Sequence, residues 1–262
     1  EYKALQIRKN LLRLCTREVI HIGGDLSIAD AMTVLWQYQM KYNPKNPKDE
    51  NRDRFVLSKG HTAPALYSTL AHRGYFAVEE LETLRHVGAR LQGHPDMKHI
   101  PGVDMSSGSL GQGISAAVGM ALSAKLSNDS YRVYTVLGDG EIQEGQVWEA
   151  CMVAGANHLD NFVAIVDNNG LQIDGPVDEV CSPYPIADKF KAFNFHVIET
   201  DAHDFEALKK AFDEAKATKG MPTAIVAKST KGKGVSFMEN QVGWHGKAPN
   251  DEEYAQAMKD LA

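Results

Sequence analysis

Short runs of β-branched and other apolar residues alternate along the chain with longer segments whose apolar residues recur at helical spacing. Four such runs predict strands: YRVYTVL (131–137), NFVAIVD (161–167), FHVIET (195–200) and PTAIVAK (222–228). Helical patterns cover residues 26–42, 110–126, 145–157 and 204–217. The last of these helices has Asp204 as its predicted N-cap. This alternation predicts an α/β fold, with a mostly parallel sheet that carries helices on both faces.

The N-terminal segment and the bulk composition narrow the class of protein. The first twenty residues mix charge with apolar residues at helical spacing, which predicts a docked amphipathic helix and neither a signal peptide nor a membrane span. The 262 residues would fill one large α/β domain or two small ones. A net charge of −6 provides no basic excess for nucleic acid. Three cysteines without a Cys-x-x-Cys pair argue against disulfides and zinc, so we expect a cytoplasmic protein that binds no membrane.

One glycine-rich segment, LGQGISA (110–116), contains Gly-x-Gly-x-x-Ala and suggests a dinucleotide site. We reject that interpretation because the fingerprint requires a strand directly before it, and the preceding PGVDMSSGS is a predicted loop. Close helix packing explains Gly113 and Gly119 better. The stretch from Gly108 to Gly111 lies ahead of the helix, where it can bring backbone close to a ligand.

Two polar loops follow neighbouring predicted strands. Gly138-Asp139-Gly140 ends one strand, and Asn169 follows Asp139 by 30 residues (169 − 139), which is about one strand–helix–strand crossover. Both loops therefore lie at the carboxyl edge of the sheet, where ligands bind in such folds. A carboxylate and an amide oxygen suit Mg²⁺, and Gly140 would let a backbone N–H approach a phosphate. Either loop alone is equally well explained as a plain turn, but together they predict a metal–diphosphate site.

The sequence around these loops resembles the N-terminal part of transketolases. GDG followed by DNNG resembles the thiamine diphosphate motif, and the resemblance extends over RDRFVLSKGH, QGHPD, GSLGQG, GDGEIQEGQVWEA and VDNNGLQIDG. It covers residues 18 to 244 approximately and implies the thiamine diphosphate-binding fold. It also implies a single diphosphate-binding domain over residues 1–262, with the pyrimidine-binding and C-terminal domains on a partner chain, as in split transketolases.

The resemblance implies a set of metal and cofactor ligands. Mg²⁺, with Ca²⁺ or Mn²⁺ as substitutes, would be bound by Asp139, Asn169 and the main-chain carbonyl of Leu171. The Gly140 N–H would bind the cofactor diphosphate, and Gly108 and Leu110 would meet its aminopyrimidine. The full set of implied cofactor contacts is Gly108, Leu110, Asp139, Gly140, Asn169, His61 and His245.

The resemblance also implies catalytic residues. Four histidines in glycine- or proline-marked loops match those that bind the donor hydroxyls and move protons in transketolases: His21, His61, His94 and His245. His21 departs from the family pattern, because Ile20 and Ile22 flank it where fused transketolases usually have glycine and proline. Glu144 matches a glutamate of a carboxylate relay near the contact between subunits, although the helix dipole also explains an acid at a helix start.

The implied reaction is transfer of a two-carbon ketol unit from a ketose or its phosphate to an aldose or its phosphate, in an α2β2 assembly with a C-terminal transketolase subunit. No segment here matches the glutamate that activates the pyrimidine ring. Two alternatives remain: a component of another thiamine diphosphate enzyme (2-oxo acid dehydrogenase or deoxyxylulose-phosphate synthase), or a non-catalytic binding subunit. The histidines argue against the first, and Asp139 with Asn169 against the second. The basic segment KSTKGKG (228–234) would attract a sugar phosphate, close over the cofactor or be a solvated, mobile loop.

Overall fold

Five parallel strands form the central sheet in a computed structural model that describes all residues, 1–262. Their order is β1-β2-β3-β7-β6, where the strands are β1 (Arg54–Leu57), β2 (Val133–Gly138), β3 (Phe162–Asn168), β6 (His196–Asp201) and β7 (Thr223–Lys228). A small antiparallel hairpin, β4 (Leu171–Gln172) with β5 (Gly175–Pro176), follows β3. The four predicted strands are confirmed. The edge strand β1 was not predicted, because four residues are too few to show a pattern.

Nine α-helices accompany the sheet: α1 (Tyr2–Cys15), α2 (Ile22–Val34), α3 (Ala63–His72), α4 (Gln112–Ser127), α5 (Gly145–Ala156), α6 (Val177–Cys181), α7 (Ile186–Ala192), α8 (Phe205–Ala217) and α9 (Asp251–Asp260). Asp204 caps α8 as predicted, since its Oδ1 accepts from the N–H groups of Glu206 and Ala207. The helix predicted over 26–42 begins earlier, at Ile22, and finishes as a π-helical turn, Leu35–Gln39. None of the helices combines the length and the apolar character needed to cross a bilayer.

Both faces of the sheet are covered, because successive strand residues point to opposite sides. In β3, Val163 and Ile165 belong to the core under α1, α2, α3 and α8, whereas Ala164 and Val166 belong to the core under α4, α5 and α7. This arrangement confirms the predicted mostly parallel sheet with helices on both faces, and it leaves the strand ends as the open edge.

Two glycines of α4, Gly113 and Gly119, differ in how closely other residues pack against them. A Cβ on Gly113 would lie 2.6 Å from the Cα of Ser58, so glycine is required for α4 to approach the loop after β1. A Cβ on Gly119 would have no neighbour within 4 Å. The expectation of close packing at Gly119 is therefore wrong within this chain. The segment before α4 is a loop and not a strand, which confirms the prediction that excludes a dinucleotide site there.

Candidate active site

A cavity of about 400 Å³ opens at the carboxyl ends of the central strands, and we refer to it as the strand-end cleft. It is lined by all the residues expected to contact cofactor or metal: Gly108, Leu110, Asp139, Gly140, Asn169, Leu171, His61 and His245. His21 and Glu144 line it as well. The fold thus brings together residues that are more than 200 positions apart in sequence, such as His21 and His245.

Asp139 is held in a fixed orientation at the end of β2. Its side chain is 1% exposed, and its two oxygens accept from the backbone N–H groups of Gly140 (2.9 Å) and Gly170. Burial, and then the neighbouring charge of Asp167, raises the pKa of Asp139 to about 6. The carboxylate therefore lies where a bound cation would be strongly stabilising. The Gly140 N–H that was expected to face a diphosphate is bonded to Asp139 here.

The two other expected metal ligands line the same cleft. The side-chain oxygen of Asn169 accepts from the N–H of Leu171 at 3.1 Å, and its amide donates to Asp167 at 2.9 Å. The main-chain oxygen of Leu171 accepts from the Lys231 ammonium at 3.1 Å. Lys231 belongs to the basic segment and is 2% exposed, so the solvated-loop interpretation fails for this side chain.

A buried ion pair that includes Lys59, a residue of the cleft wall, was not foreseen from the sequence. The Lys59 ammonium lies 2.6 Å from the Asp167 carboxylate, and both side chains are almost fully buried. Asp167 also accepts from the hydroxyls of Ser27 and Ser229 and from Asn169. Although burial acts to raise the pKa of Asp167, Lys59 and these donors lower it overall, so the group is a carboxylate. This network fixes the end of β3 against the loop after β1.

Glu141 is the second carboxylate whose role was missed. It is 2% exposed and accepts from the Ser58 hydroxyl (2.5 Å) and from the backbone N–H groups of Gly111 (3.0 Å) and Gly138 (3.1 Å). It thereby joins the loop after β1, the start of α4 and the turn after β2. Burial raises its pKa. Its position directly after Gly-Asp-Gly was visible in the sequence, but its partners were not.

Three of the four expected histidines meet at one end of the cleft. Ring centroids of His21 and His61 are 4.9 Å apart, those of His21 and His245 are 5.2 Å apart, and those of His61 and His245 are 5.8 Å apart. His21 stands at the N-terminus of α2, His61 follows β1, and His245 follows the short 3₁₀ helix Val242–Trp244. The Nδ1 atom of His21 is buried and has no hydrogen-bond partner.

The histidine cluster is neutral at physiological pH. Burial, and next the charge of Lys59, lowers the pKa of His61 to about 2. Burial, and next the charge of Lys231, lowers the pKa of His245 to about 3. The pKa of His21 is lowered as well, by burial and then by Arg85. Each neutral imidazole has one donor and one acceptor nitrogen, so the cluster can both donate hydrogen bonds to hydroxyl groups and accept them.

His94 and Glu144 lie at the margin of this arrangement. A Cβ on Gly108 would be 2.8 Å from the His94 ring, which places His94 against the loop that begins with Gly108, although its ring lies outside the cluster of three. Burial and then Arg85 lower the pKa of His94. Glu144 is the N-cap residue of α5, makes no side-chain cap bond and is exposed, with its Cβ facing Gly111.

The oxygen ligands suit a divalent cation only together with an outside ligand. No group of three or more His, Cys, Asp or Glu side chains is arranged to hold a metal. Asp139 would be the one carboxylate ligand, beside one amide and one carbonyl oxygen. A site with so few protein ligands fits Mg²⁺ that keeps open positions for phosphate oxygens. A parallel α/β sheet with this oxygen set and a cluster of histidines at its strand ends is what the class of enzymes that bind a diphosphate cofactor through a metal requires.

Comparisons with known proteins agree with this class. Residues 15–262 match the family described as "Transketolase, thiamine diphosphate binding domain". The chain is 43% identical to the 6-deoxy-6-sulfo-D-fructose transketolase subunit SqwG from Clostridium sp., over 98% of this chain and 96% of that one. It is 40% identical to an apulose-4-phosphate transketolase subunit from Phocaeicola vulgatus, over 98% of this chain and 93% of that one. The solved structure of transketolase from Leishmania mexicana superposes with a TM-score of 0.91 at 34% identity, over 99% of this chain but 41% of that one.

The chain therefore belongs to the transketolase family, as its thiamine diphosphate-binding domain. This confirms the resemblance, the fold class and the organic cofactor that the sequence predicted. The chain spans about two fifths of the length of the Leishmania transketolase and nearly the whole length of the two bacterial subunits.

Proposed function

We propose that this chain is the cofactor-binding subunit of a split transketolase that transfers a two-carbon ketol unit from a ketose to an aldose. One observation carries this proposal: the Asp139 turn and three neutral histidines lie in the same cleft. One set suits a metal-bound diphosphate, and the other suits a polyhydroxylated sugar. The histidines argue against a component of another thiamine diphosphate enzyme, and Asp139 with Asn169 argues against a non-catalytic binding subunit.

The oxygen ligands would hold the cofactor through its metal. In this proposal Asp139, Asn169 and the Leu171 carbonyl bind Mg²⁺, with Ca²⁺ or Mn²⁺ as substitutes, and the Gly140 backbone faces the diphosphate. Lys231 now bonds the Leu171 carbonyl, so it shares that oxygen with the metal or withdraws from it. When bound, thiamine diphosphate supplies the carbanion chemistry that breaks and forms the carbon–carbon bond. Gly108 and Leu110 would contact the pyrimidine end of the cofactor.

The histidines would bind the sugar and move its protons. His21, His61 and His245 present neutral rings to one space, so each can accept a hydrogen bond from one sugar hydroxyl and donate one to another. Their part in proton transfer is proposed from the resemblance to transketolases. His94 approaches the same space across Gly108. Glu144, on the exposed start of α5, is proposed for a carboxylate relay at the contact between subunits.

The rest of the active site would come from a second polypeptide. Two relatives of nearly this length are themselves described as transketolase subunits, which supports a partner that carries the pyrimidine-binding and C-terminal domains. Apolar side chains also stand exposed on α5: Met152 is 59% and Val153 is 45% exposed. Such a surface supports association, and we propose an α2β2 assembly. The three free cysteines support a cytoplasmic location.

Reconstitution tests the proposal. Xylulose 5-phosphate cleavage with ribose 5-phosphate as acceptor is assayed for the purified chain alone, for its candidate partner alone, and for the mixture, each with Mg²⁺ and thiamine diphosphate. We expect turnover only in the mixture, and a pyruvate-decarboxylation assay of the same mixture should be negative. Full turnover by the lone chain, or pyruvate release without ketol transfer, would overturn the assignment.

A further inference from the structure

A buried ion pair between α1 and α2 lies against the basic segment, residues 228–234. Two guanidinium nitrogens of Arg8, on α1, donate to the two carboxylate oxygens of Asp30, on α2, at 2.6 and 2.7 Å. The two side chains are only 9% and 6% exposed. Although burial acts to raise the pKa of Asp30, hydrogen bonds from His203 and Arg8 lower it overall, so the group is a carboxylate. Such a bidentate pair holds both partners in one geometry.

This ion pair is connected to the backbone of the basic segment by two routes. The Arg8 Nε–H donates to the Lys233 main-chain oxygen at 3.1 Å. On the second route, the Nδ1 atom of His203 bonds Asp30 at 2.8 Å, and its Nε2 atom accepts from the Thr230 N–H at 2.9 Å. Because Nε2 accepts, the proton of a neutral ring is on Nδ1 and is donated to Asp30. Arg8, Asp30 and His203, which we call the anchor triad, thus hold the segment at two points.

Two glycines allow the basic segment to follow this path. Gly232 and Gly234 adopt left-handed backbone conformations, with φ of 78° and 96°. The Gly232 N–H donates to the main-chain oxygen of Gly23, on α2, at 2.9 Å. A Cβ on Gly234 would lie 3.2 Å from the Cδ atom of Arg8. The segment is therefore packed closely against both α1 and α2.

Between the two held points, the basic segment carries Lys231 to the wall of the strand-end cleft. Its ammonium donates to the Leu171 main-chain oxygen at 3.1 Å and lies 2.9 Å from the Nδ1 atom of His245. No carboxylate pairs with this ammonium, whereas Lys59, the other lysine of the cleft wall, pairs with Asp167. The place of the Lys231 ammonium is therefore set by its own backbone, which the anchor triad holds, and not by an ion pair.

We propose that the anchor triad positions Lys231 between the Leu171 carbonyl and His245, and thereby prepares the cleft for the cofactor. This inference rests on the proposed function, in which Leu171 is a metal ligand and His245 is a cofactor contact. None of the three triad residues lines the cleft, so they are positioning residues and act through the basic segment. Arg8 also lies ahead of residues 15–262, which match the family. Part of the support for the cleft thus comes from α1, outside that match.

Amide hydrogen exchange and calorimetry on the complete two-subunit complex test the anchor triad. His203→Phe keeps an aromatic ring but removes the bonds to Asp30 and Thr230, whereas His203→Gln keeps one donor and one acceptor. In His203→Phe we expect exchange in residues 229–234 to become about tenfold faster, and thiamine diphosphate at saturating Mg²⁺ to bind about tenfold more weakly. His203→Gln should recover part of both losses. The KM for the cofactor should rise, while kcat at saturating cofactor stays within about threefold of the wild type.

A matched control and a second variant complete the design. His196→Phe is the control, because it removes a partly exposed ring that bonds Glu214 at 2.7 Å and does not line the cleft. It should change neither the exchange nor the affinity. Arg8→Lys keeps the charge but loses the bidentate pair, so it should show the same two changes as His203→Phe. The two variants break the triad at different members, so the test remains decisive if one of them does not fold.

Three results would overturn the inference. They are unchanged exchange in residues 229–234 of a folded variant, faster exchange spread evenly over the whole chain, and faster exchange in the segment with wild-type affinity for the cofactor. Neither the exchange nor the calorimetric measurement depends on turnover. If both give the expected changes while the complex transfers no ketol unit, the proposed function fails and the positioning role stands.

Discussion

The two ends of the strand-end cleft are built in opposite ways. The oxygen end consists of Asp139, Asn169 and Leu171, which lie in two turns at the ends of adjacent strands and are oriented by backbone N–H groups. The histidine end is assembled from three segments far apart in sequence, around His21, His61 and His245. Local sequence thus encodes the oxygen end, whereas only the complete fold brings the histidines together.

The ends also differ in charge. The oxygen end has buried carboxylates, and one of them, Asp167, pairs with Lys59. The histidine end carries no charge of its own near neutral pH, because burial and nearby cations lower the pKa of each ring. The first arrangement is suited to holding a metal, and the second to hydrogen-bonding the uncharged hydroxyl groups of a sugar. Substitutions at the two ends should therefore impair the enzyme in different ways.

Removal of the proposed metal ligand Asp139 should have the largest effect. In the partner complex, Asp139→Ala should reduce ketol transfer below detection, since the diphosphate would lose its proposed metal anchor while the core keeps every apolar contact. Asn169→Ala should be milder, because a carbonyl and a carboxylate remain. Activity assays with circular dichroism as a folding check measure this. Asp174→Ala, in the exposed hairpin turn, is the control, and an active Asp139→Ala complex would refute the metal assignment.

Loss of a proton-transfer group should have the next largest effect. His61→Ala and His94→Ala should each lower ketol transfer by roughly 10²–10⁴-fold, the usual contribution of a general acid or base. His72→Ala is the control: that ring bonds Asn10 at 3.0 Å, at the end of α3, and does not line the strand-end cleft. Steady-state rates at saturating cofactor measure this, and equal losses at His72 and His94 would remove the distinction between the histidines.

Breaking the buried pair under the oxygen end should reduce stability. Lys59→Met leaves Asp167 buried without its cation, which should cost about 3–5 kcal/mol in the free energy of unfolding. Arg17→Gln breaks an exposed pair and should cost less than about 1 kcal/mol. Urea unfolding of the three proteins measures both changes. Similar costs would mean that the Lys59–Asp167 pair does not support the fold.

The smallest expected effect is on the pH dependence of stability. The pKa of His245 is about 3 in the folded chain and 6.5 when unfolded, so between these values the unfolded chain binds more protons. Its contribution is complete above pH 6.5 and is lost as pH falls toward 3. Urea unfolding at about pH 7.5 and about pH 5 should show the wild type losing about 1 kcal/mol more than His245→Gln, after allowance for partial exposure. An equal loss of stability between the two pH values in the wild type and in His245→Gln would contradict the lowered pKa of His245.

The elements that were predicted correctly are those with a local signature. The strands β2, β3 and β7 are continuous, mostly apolar runs, β6 contains a shorter β-branched stretch, and the turn at Asp139 is marked by two glycines and by its distance from Asn169. The structure brings these turns to one edge because β2 and β3 are neighbours in the sheet. Such features depend on a few consecutive residues and on the crossover rule.

The features that were missed depend on contacts across the fold. Lys59 and Asp167 are 108 positions apart, and Glu141 draws its partners from three segments. Nothing next to Lys59 or Lys231 in the sequence shows that either side chain is buried. The histidine cluster was expected only from the resemblance to transketolases, because the spacing of its members in sequence carries no signal of their proximity.

The central claim is that the oxygen end, and not His21, sets the affinity for the cofactor. Its most direct test is calorimetric titration of thiamine diphosphate, at saturating Mg²⁺, into partner complexes of the wild type, Asp139→Ala and His21→Ala. We expect Asp139→Ala to bind at least about 100-fold more weakly than the wild type, and His21→Ala to bind within about threefold of it. Wild-type affinity in Asp139→Ala, or an equal loss in both variants, would contradict this division of the cleft.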